Sequence, residues 1–496
     1  MRGANILLIT MFGCLVLAPM TAQLVGFDPG RPLEENRSLA KPIALPKSWN
    51  DAVRLPVESD DYLRDHFGLR RAALQIHDQL VWRVLRDSPS VQVTRGLNGV
   101  LFFNSHSAKQ PYSLIEQSCG IGLPAPVIVP VADDAAKFLQ QARRINPSSA
   151  LVIIPTKASI YPELLPDWLS MRCRNAMPPT NLIEEQLRSD PQLAAMVDYP
   201  LDEMRTLKTS MQVYPPQSFH WAGDMPRIIA QRISEKRFGL VKGSNLRAHA
   251  IVRHADLQRF VPGVDLLVED LEPDYAAAGV RSCLGPSCFP ELGKFAELLG
   301  DVSRFQSDAG SGKKLLLITD SFGASIAGWF SPYFSEVWHL NINYLVNVSK
   351  DDLDKVPFGK AIFSDYRPDY VVYLLHDGAV LSWPHQLAKQ LAMESIAIAP
   401  KSSEKTGITF TVEPSIVTSC SPPTVASVSW NVTGSGANVV KIYVRESGGQ
   451  EKLFAQGAAD GSTNTGPWVR PGMVFRLVDG DSGKLLSTFV IGHKIC

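Results

Sequence analysis

Lys313-Lys314-Leu315-Leu316-Leu317-Ile318-Thr319-Asp320-Ser321-Phe322-Gly323-Ala324-Ser325-Ile326-Ala327 decides the fold. The uninterrupted apolar run from Leu315 to Ile318, set between polar residues, is the pattern of a parallel strand buried on both faces. Asp320, Ser321 and Gly323 are turn residues. From Ala324 to Phe330 small and apolar residues alternate as in a helix packed on a sheet. Ser321 therefore falls at the carboxyl end of a strand and the amino end of a helix, where open α/β sheets bind ligands. Free N–H groups there also stabilise an oxyanion. A helix cap uses the same residue types in the same place, so the tetrapeptide alone does not separate a cap from a nucleophile.

The rest of the chain repeats the alternation. Residues 133–144 form an amphipathic helix and Ala150-Leu151-Val152-Ile153-Ile154 a buried strand. Helices are expected over 181–197, 201–212 and 223–235, with further strands at 337–344 and 369–375. This order predicts an α/β fold: a parallel sheet flanked by helices. Residues 240–312 read as an insertion into it. After about residue 395 the pattern changes to short alternating strands at 425–432, 439–444, 452–455, 473–478 and 485–492, which predicts a β-sandwich. The expected organisation is 1–27 as signal anchor or signal peptide and 28–130 as an arm and helix leading into the core. The α/β domain then spans 131–390, a linker 391–412 and the β-sandwich 413–496.

Lys plus Arg and Asp plus Glu both total 49, so no net field draws the chain to nucleic acid. The amino terminus, ANILLITMFGCLVLAPMTAQLVGF after Met1-Arg2-Gly3, is an export signal close to the ~20 residues that span a bilayer. Met20-Thr21-Ala22 is a poor cleavage site, which favours an uncleaved anchor with a periplasmic body. Cys14 has no convincing lipobox. The six other cysteines suit disulfides in an oxidising compartment. The expected pairs are Cys420–Cys496, Cys283–Cys288 and Cys119–Cys173. A zinc site on Cys283 and Cys288 lacks a nearby second Cys/His pair, so no metal and no cofactor is expected.

Among ten histidines, His220 in Tyr214-Pro215-Pro216-Gln217-Ser218-Phe219-His220-Trp221 is the best placed for chemistry, in a polar, proline-rich loop before a helix. Trp221, Tyr214 and Trp329 are candidates for a sugar-stacking surface, with core packing as the alternative. Lys157 at a strand end faces either an anionic polymer or solvent. Asp320 and Gly323 join Trp221 and Tyr214 as substrate-binding candidates beside the nucleophile.

Five landmarks occur in order: Asp61-Tyr62-Leu63-Arg64-Asp65-His66-Phe67-Gly68-Leu69-Arg70, the turn and strand 96–103, Val152-Ile153-Ile154-Pro155-Thr156-Lys157-Ala158-Ser159-Ile160-Tyr161-Pro162-Glu163, the loop Ser218 to Trp221, and Thr319 to Gly323. Over residues 30–385 they resemble the periplasmic alginate O-acetyltransferases and related exopolysaccharide acetylation proteins, whose catalytic domain is SGNH-hydrolase-like. The resemblance implies Ser321 as the acyl-accepting nucleophile and His220 as its base. It also implies a polysaccharide acceptor and a membrane-bound O-acyltransferase at the inner membrane as acetyl source. The family's acid falls on Ser218, which carries no charge. Three outcomes follow: a Ser–His dyad, substitution by Asp224, or a non-catalytic polysaccharide-binding scaffold. An acetylesterase would use the same residues with water as acceptor. The oxyanion would be held by N–H groups at Ser321 and Gly323.

Overall fold

The computed structural model describes residues 2–33, 38–106, 111–308, 310–347, 360–384, 387, 408–418, 424–433, 436–445, 451–470 and 473–494. The apolar runs build one seven-stranded mixed sheet. Its strands in chain order are β1 (Ser149–Ile154), β2 (Val197–Asp198), β3 (Val280–Leu284), β4 (Val302–Ser307), β5 (Lys314–Thr319), β6 (Glu336–Asn341) and β7 (Tyr370–His376). Across the sheet the order is β2-β1-β7-β5-β6-β4-β3. The strands from β2 to β6 in that order run parallel, and β4 and β3 add an antiparallel edge.

Burial on both faces explains why the central strands lack polar alternation. Val152, Ile154, Leu315, Leu317, Val372 and Leu374 face one core, against Ile229, Ile233, Phe322 and Phe330. Leu151, Ile153, Leu316, Ile318, Tyr373 and Leu375 face the other, against Phe138, Leu139 and Ala142 of the helix Ala125–Ile145. Each strand thus divides its side chains between two cores, and β5, paired on both sides, is centred between them.

Several expectations change. Residues 240–312 are not wholly a separate excursion, because β3 and β4 within them form the edge of the sheet. The same stretch carries the hairpin Ala248–His254 with Leu267–Pro273, whose connection holds the short turn Asp256–Phe260. The segment read as an extended arm contains the helix Trp49–His66, started by Ser48, whose Oγ accepts from the Asp51 N–H at 3.2 Å. Pro56 lies inside this helix, and proline with dense charge hid it. The helices expected over 181–197 and 201–212 are shorter, at Pro179–Leu187, Pro191–Ala194 and Leu201–Leu207.

The helix Arg2–Leu24 contains Asn5–Leu24, long and apolar enough to cross a bilayer, as an anchor or a signal. Its last turns rest on the corner before the helix Arg70–Leu80: a Cβ at Gly68 would lie 2.1 Å from Pro19 O. Asp28 caps that second helix. Its carboxylate accepts from the N–H groups of Gly30, Arg71 and Ala72 at 2.9, 2.9 and 3.2 Å. Disulfides Cys119–Cys173 and Cys283–Cys288 are formed, as an extracytoplasmic location would allow. Cys420, Cys496 and the linker segment 400–406 lie outside the described residues.

In the carboxyl-terminal part, Thr409–Glu413, Ser427–Asn431 and Asp460–Asn464 form one antiparallel sheet. Lys452–Ala458, Val439–Arg445, Val474–Asp479 and Leu485–Val490 form another. Phe410, Val412, Val428 and Trp430 of the first share a core with Val440, Ile442, Phe475 and Leu477 of the second. The first strand begins inside the stretch expected to be linker.

Removing the Asp28 cap in Asp28→Ala should lower unfolding free energy by about 1 kcal/mol, read as a lower urea midpoint in detergent. An unchanged midpoint would show that the cap contributes nothing.

Candidate active site

The turn after β5 is built by buried polar groups. The Asp320 carboxylate accepts from the Phe322 N–H at 2.9 Å and the His376 N–H at 2.6 Å. Gly323 N–H donates to Asp320 O at 3.2 Å, and the Thr319 hydroxyl donates to the same oxygen at 2.7 Å. Thr319 Oγ1 has thereby used its proton, so it accepts from His339 Nε2–H at 2.8 Å. His339 Nδ1 is left to accept from the Ser303 hydroxyl at 3.1 Å. Burial pulls the His339 pKa down to about 3, which keeps the ring neutral. A Cβ at Gly323 would lie 1.9 Å from Thr319 Oγ1 and 2.5 Å from His339 Nε2, so only glycine lets the next helix sit this low. Asp320 and Gly323, expected to bind substrate, instead shape the turn. Gly323 N–H is occupied by Asp320 O, which removes it as an oxyanion donor. The Ser321 N–H has no hydrogen-bond partner among the described residues.

Ser321 and His220 both remain partly exposed at the carboxyl edge of the sheet. His220 Nε2 lies 2.8 Å from Ser321 Oγ, and His220 Nδ1 lies 2.5 Å from Asp256 Oδ2. Asp256 also accepts from the Phe219 N–H at 2.7 Å and the His220 N–H at 2.8 Å. Burial works to raise the Asp256 pKa, but the hydrogen bond and charge of His220, with the two N–H donors, outweigh it and hold the carboxyl down at about 2. A permanently ionised carboxylate on Nδ1 fixes the tautomer with a lone pair on Nε2. That lone pair faces the serine hydroxyl. The arrangement Asp256–His220–Ser321 can activate an oxygen nucleophile.

The acid was not legible in the sequence. Ser218 Oγ is buried without a hydrogen-bond partner among the described residues. Asp224 accepts from Arg227 Nε at 2.8 Å at the head of the helix Met225–Gln231, and the carboxylate bonded to the His220 ring is that of Asp256. Gly223, with φ of +65°, redirects the chain between His220 and that helix. Asp256 lies 36 positions after His220, in a hairpin that offers other aspartates such as Asp265 in the same connection and Asp270 in the strand after it. Only the folded hairpin selects among them.

The aromatic expectations resolve toward the core. Trp221 is fully buried and donates from Nε1 to Phe322 O at 3.2 Å. Tyr214 is buried and donates from its hydroxyl to Pro155 O at 2.6 Å. Trp329 is buried as well, so none of the three offers a face to sugar. Beneath the site, Phe219 and Phe322 pack around His376, whose Nδ1 has no partner among the described residues and whose pKa burial lowers. Lys157 faces neither polymer nor solvent, because it is buried below the His220 loop. No group of His, Cys, Asp and Glu able to hold a metal occurs among the described residues.

No protein-family model matches the chain, and no curated protein matches it by sequence. Among solved structures, a DHHW family protein from Eubacterium siraeum DSM 15702 aligns with a TM-score of 0.38 and 13% identity, over 52% of this chain and 88% of that one. A likeness that distant assigns neither fold nor function.

The neutral, buried His339 has a measurable consequence. Its folded pKa is depressed from the ordinary 6.5 to about 3. Its stabilising contribution is complete above pH 6.5 and declines as pH falls through that window, where only the unfolded chain takes up the proton, by at most about 1.4 kcal/mol per pH unit. His339→Gln should flatten the dependence of unfolding free energy on pH between 6 and 4, whatever its overall cost. Parallel slopes for the two proteins would remove His339 as the source.

Proposed function

We propose that the chain is an O-acetyltransferase acting on an exported, alginate-like polysaccharide through an acyl-enzyme on Ser321. The observation that carries this is the continuous hydrogen-bonded set Asp256–His220–Ser321 at the edge of the sheet. The ordered landmarks that resemble the periplasmic alginate O-acetyltransferases support it. So does a run of parallel strands ending at the site, which we read as SGNH-hydrolase-like.

In the first step Ser321 Oγ attacks the carbonyl carbon of an acetyl donor while its proton passes to His220 Nε2. The imidazolium is stabilised by Asp256. Collapse of the tetrahedral adduct breaks the bond to the donor, and His220 returns the proton to the departing group. This leaves an acetyl ester on Ser321. In the second step a sugar hydroxyl attacks that ester, gives its proton to His220, and takes the acetyl group. Ser321 Oγ recovers the proton and the enzyme is regenerated. The Ser321 N–H, without a partner among the described residues, would donate to the oxyanion of both adducts.

The partners follow from this chemistry. A membrane-bound O-acyltransferase would deliver acetyl groups, and the helix Arg2–Leu24 would hold the body at the inner membrane on the periplasmic side. A non-catalytic scaffold was suggested only by the uncharged Ser218, and Asp256 supplies the charge that position lacks. Acetylester hydrolysis is the second reading, favoured by the openness of the Ser–His pair to water.

The test is turnover of a chromogenic acetyl ester with and without oligosaccharide acceptor. Ser321→Ala should abolish it, and the wild-type protein should yield an acetylated Ser321 peptide by mass spectrometry. Asp256→Asn should lower kcat by about four orders of magnitude, while Ser218→Ala should leave it near the wild-type value. A Ser321→Ala protein that still turns over would take Ser321 out of the mechanism. Acetate release unaffected by oligosaccharide would assign the esterase.

A further inference from the structure

Lys157 opens the short helix Lys157–Ile160 that follows β1, and only 2% of it is exposed. Its ammonium donates to three backbone carbonyls: Pro215 O at 2.7 Å, Pro216 O at 3.0 Å and Leu101 O at 3.0 Å. Pro216 O also accepts from the Leu101 N–H at 2.8 Å. Pro215 and Pro216 begin the loop that ends in His220. Leu101 belongs to the hairpin Val93–Arg95 with Leu101–Phe103, closed by Asn98 and Gly99 at positive φ. The lysine therefore joins the central sheet, the amino-terminal hairpin and the base-bearing loop at one point.

Chemistry explains why a charge is spent here. An ammonium has three N–H bonds, and three carbonyls match them. Burying it is costly, since desolvation pulls its pKa to about 7 while the charge of Asp256 acts in the opposite direction. A neutral side chain of the same length would sit in this interior at lower cost. Two consecutive prolines, however, present no N–H groups. Carbonyls are the only polar handles on that segment, and gripping several of them at once requires a multiple donor. The far side of the same loop is held in the complementary way: Asp256 takes the N–H groups of Phe219 and His220, and Asp270 takes the Gly223 N–H at 2.8 Å.

We propose that Lys157 is a positioning residue for the Ser321–His220 pair, its ammonium fixing the Pro215-Pro216 segment and through it the placement of the His220 ring. This rests on the acyl-transfer function proposed above for its effect on rate, but its effect on geometry is independent of any activity. A purely structural lysine would contribute to stability and leave the His220–Asp256 hydrogen bond of the folded protein as it is.

The experiment compares the full chain in detergent with Lys157→Met and Ser321→Ala. The far-downfield proton resonance of His220 Nδ1–H, bonded to Asp256, is followed by NMR, with circular dichroism as the check on folding. The resonance should persist in Ser321→Ala and be lost or clearly shifted in Lys157→Met. On a chromogenic acetyl ester, Lys157→Met should lower kcat by up to about a hundredfold with KM little changed. Should Lys157→Met fail to fold, Lys157→Ala is examined with and without n-propylammonium, which should restore the resonance where n-propanol does not. A folded Lys157→Met protein with the wild-type resonance overturns the proposal, as does a Lys157→Ala resonance indifferent to the added cation. Absence of turnover in the wild-type protein counts against the acyl-transfer function alone, because the resonance comparison still decides the role of Lys157.

Discussion

One carboxylate ties the site together. Asp256 binds the His220 ring and, in the same grip, the backbone N–H groups of Phe219 and His220. The ring is therefore fixed both by its own hydrogen bond and by the backbone that carries it. Its orientation toward Ser321 is set before any substrate arrives, which is what preorganised acid–base chemistry requires. Without the hairpin that delivers Asp256, the loop would be a proline-rich segment with a histidine near its end.

The nucleophile turn meets a different constraint. It must leave one hydroxyl open while satisfying the polar groups of the turn itself, because an unpaired donor or acceptor in that interior costs about 1–3 kcal/mol. Asp320, Thr319, His339 and Ser303 meet the requirement as a directed chain of hydrogen bonds, and Gly323 provides the clearance. Residues that look like substrate contacts from their position next to Ser321 are thus engaged from below. The aromatic cluster of Phe219, Trp221, Phe322 and His376 fills the remaining space and keeps water out from under the pair.

Distant parts of the chain converge on the same loop. Asp28, at the end of the apolar amino-terminal segment, caps the helix Arg70–Leu80. Asp78 and Gln79 of that helix then engage Gly263, in the connection that carries Asp256. The body is thus coupled to its apolar helix by specific hydrogen bonds of residues 28–31, within the stretch expected to be an arm. Cys119–Cys173 braces the elements beside the hairpin that Lys157 contacts.

The sequence by itself determined four strands of the parallel core, though not the short edge strand Val197–Asp198, and with them the placement of Ser321 at a strand end, the apolar amino-terminal helix and the two closed disulfides. Each of these is written in local signals: continuous apolar runs, turn residues and cysteine spacing. His220 was legible for the same reason, as a histidine in a loop too polar to be core. Tertiary structure alone decided the identity of the acid, the burial of Trp221, Tyr214 and Lys157, and the structural employment of Asp320 and Gly323. It also turned two strands of the apparent insertion 240–312 into the edge of the sheet. The physical reason is common to all of these. Whether an aspartate reaches an imidazole, or an indole meets solvent, depends on which distant segment packs over it, and β-pairing brings such segments together across separations that no local pattern records.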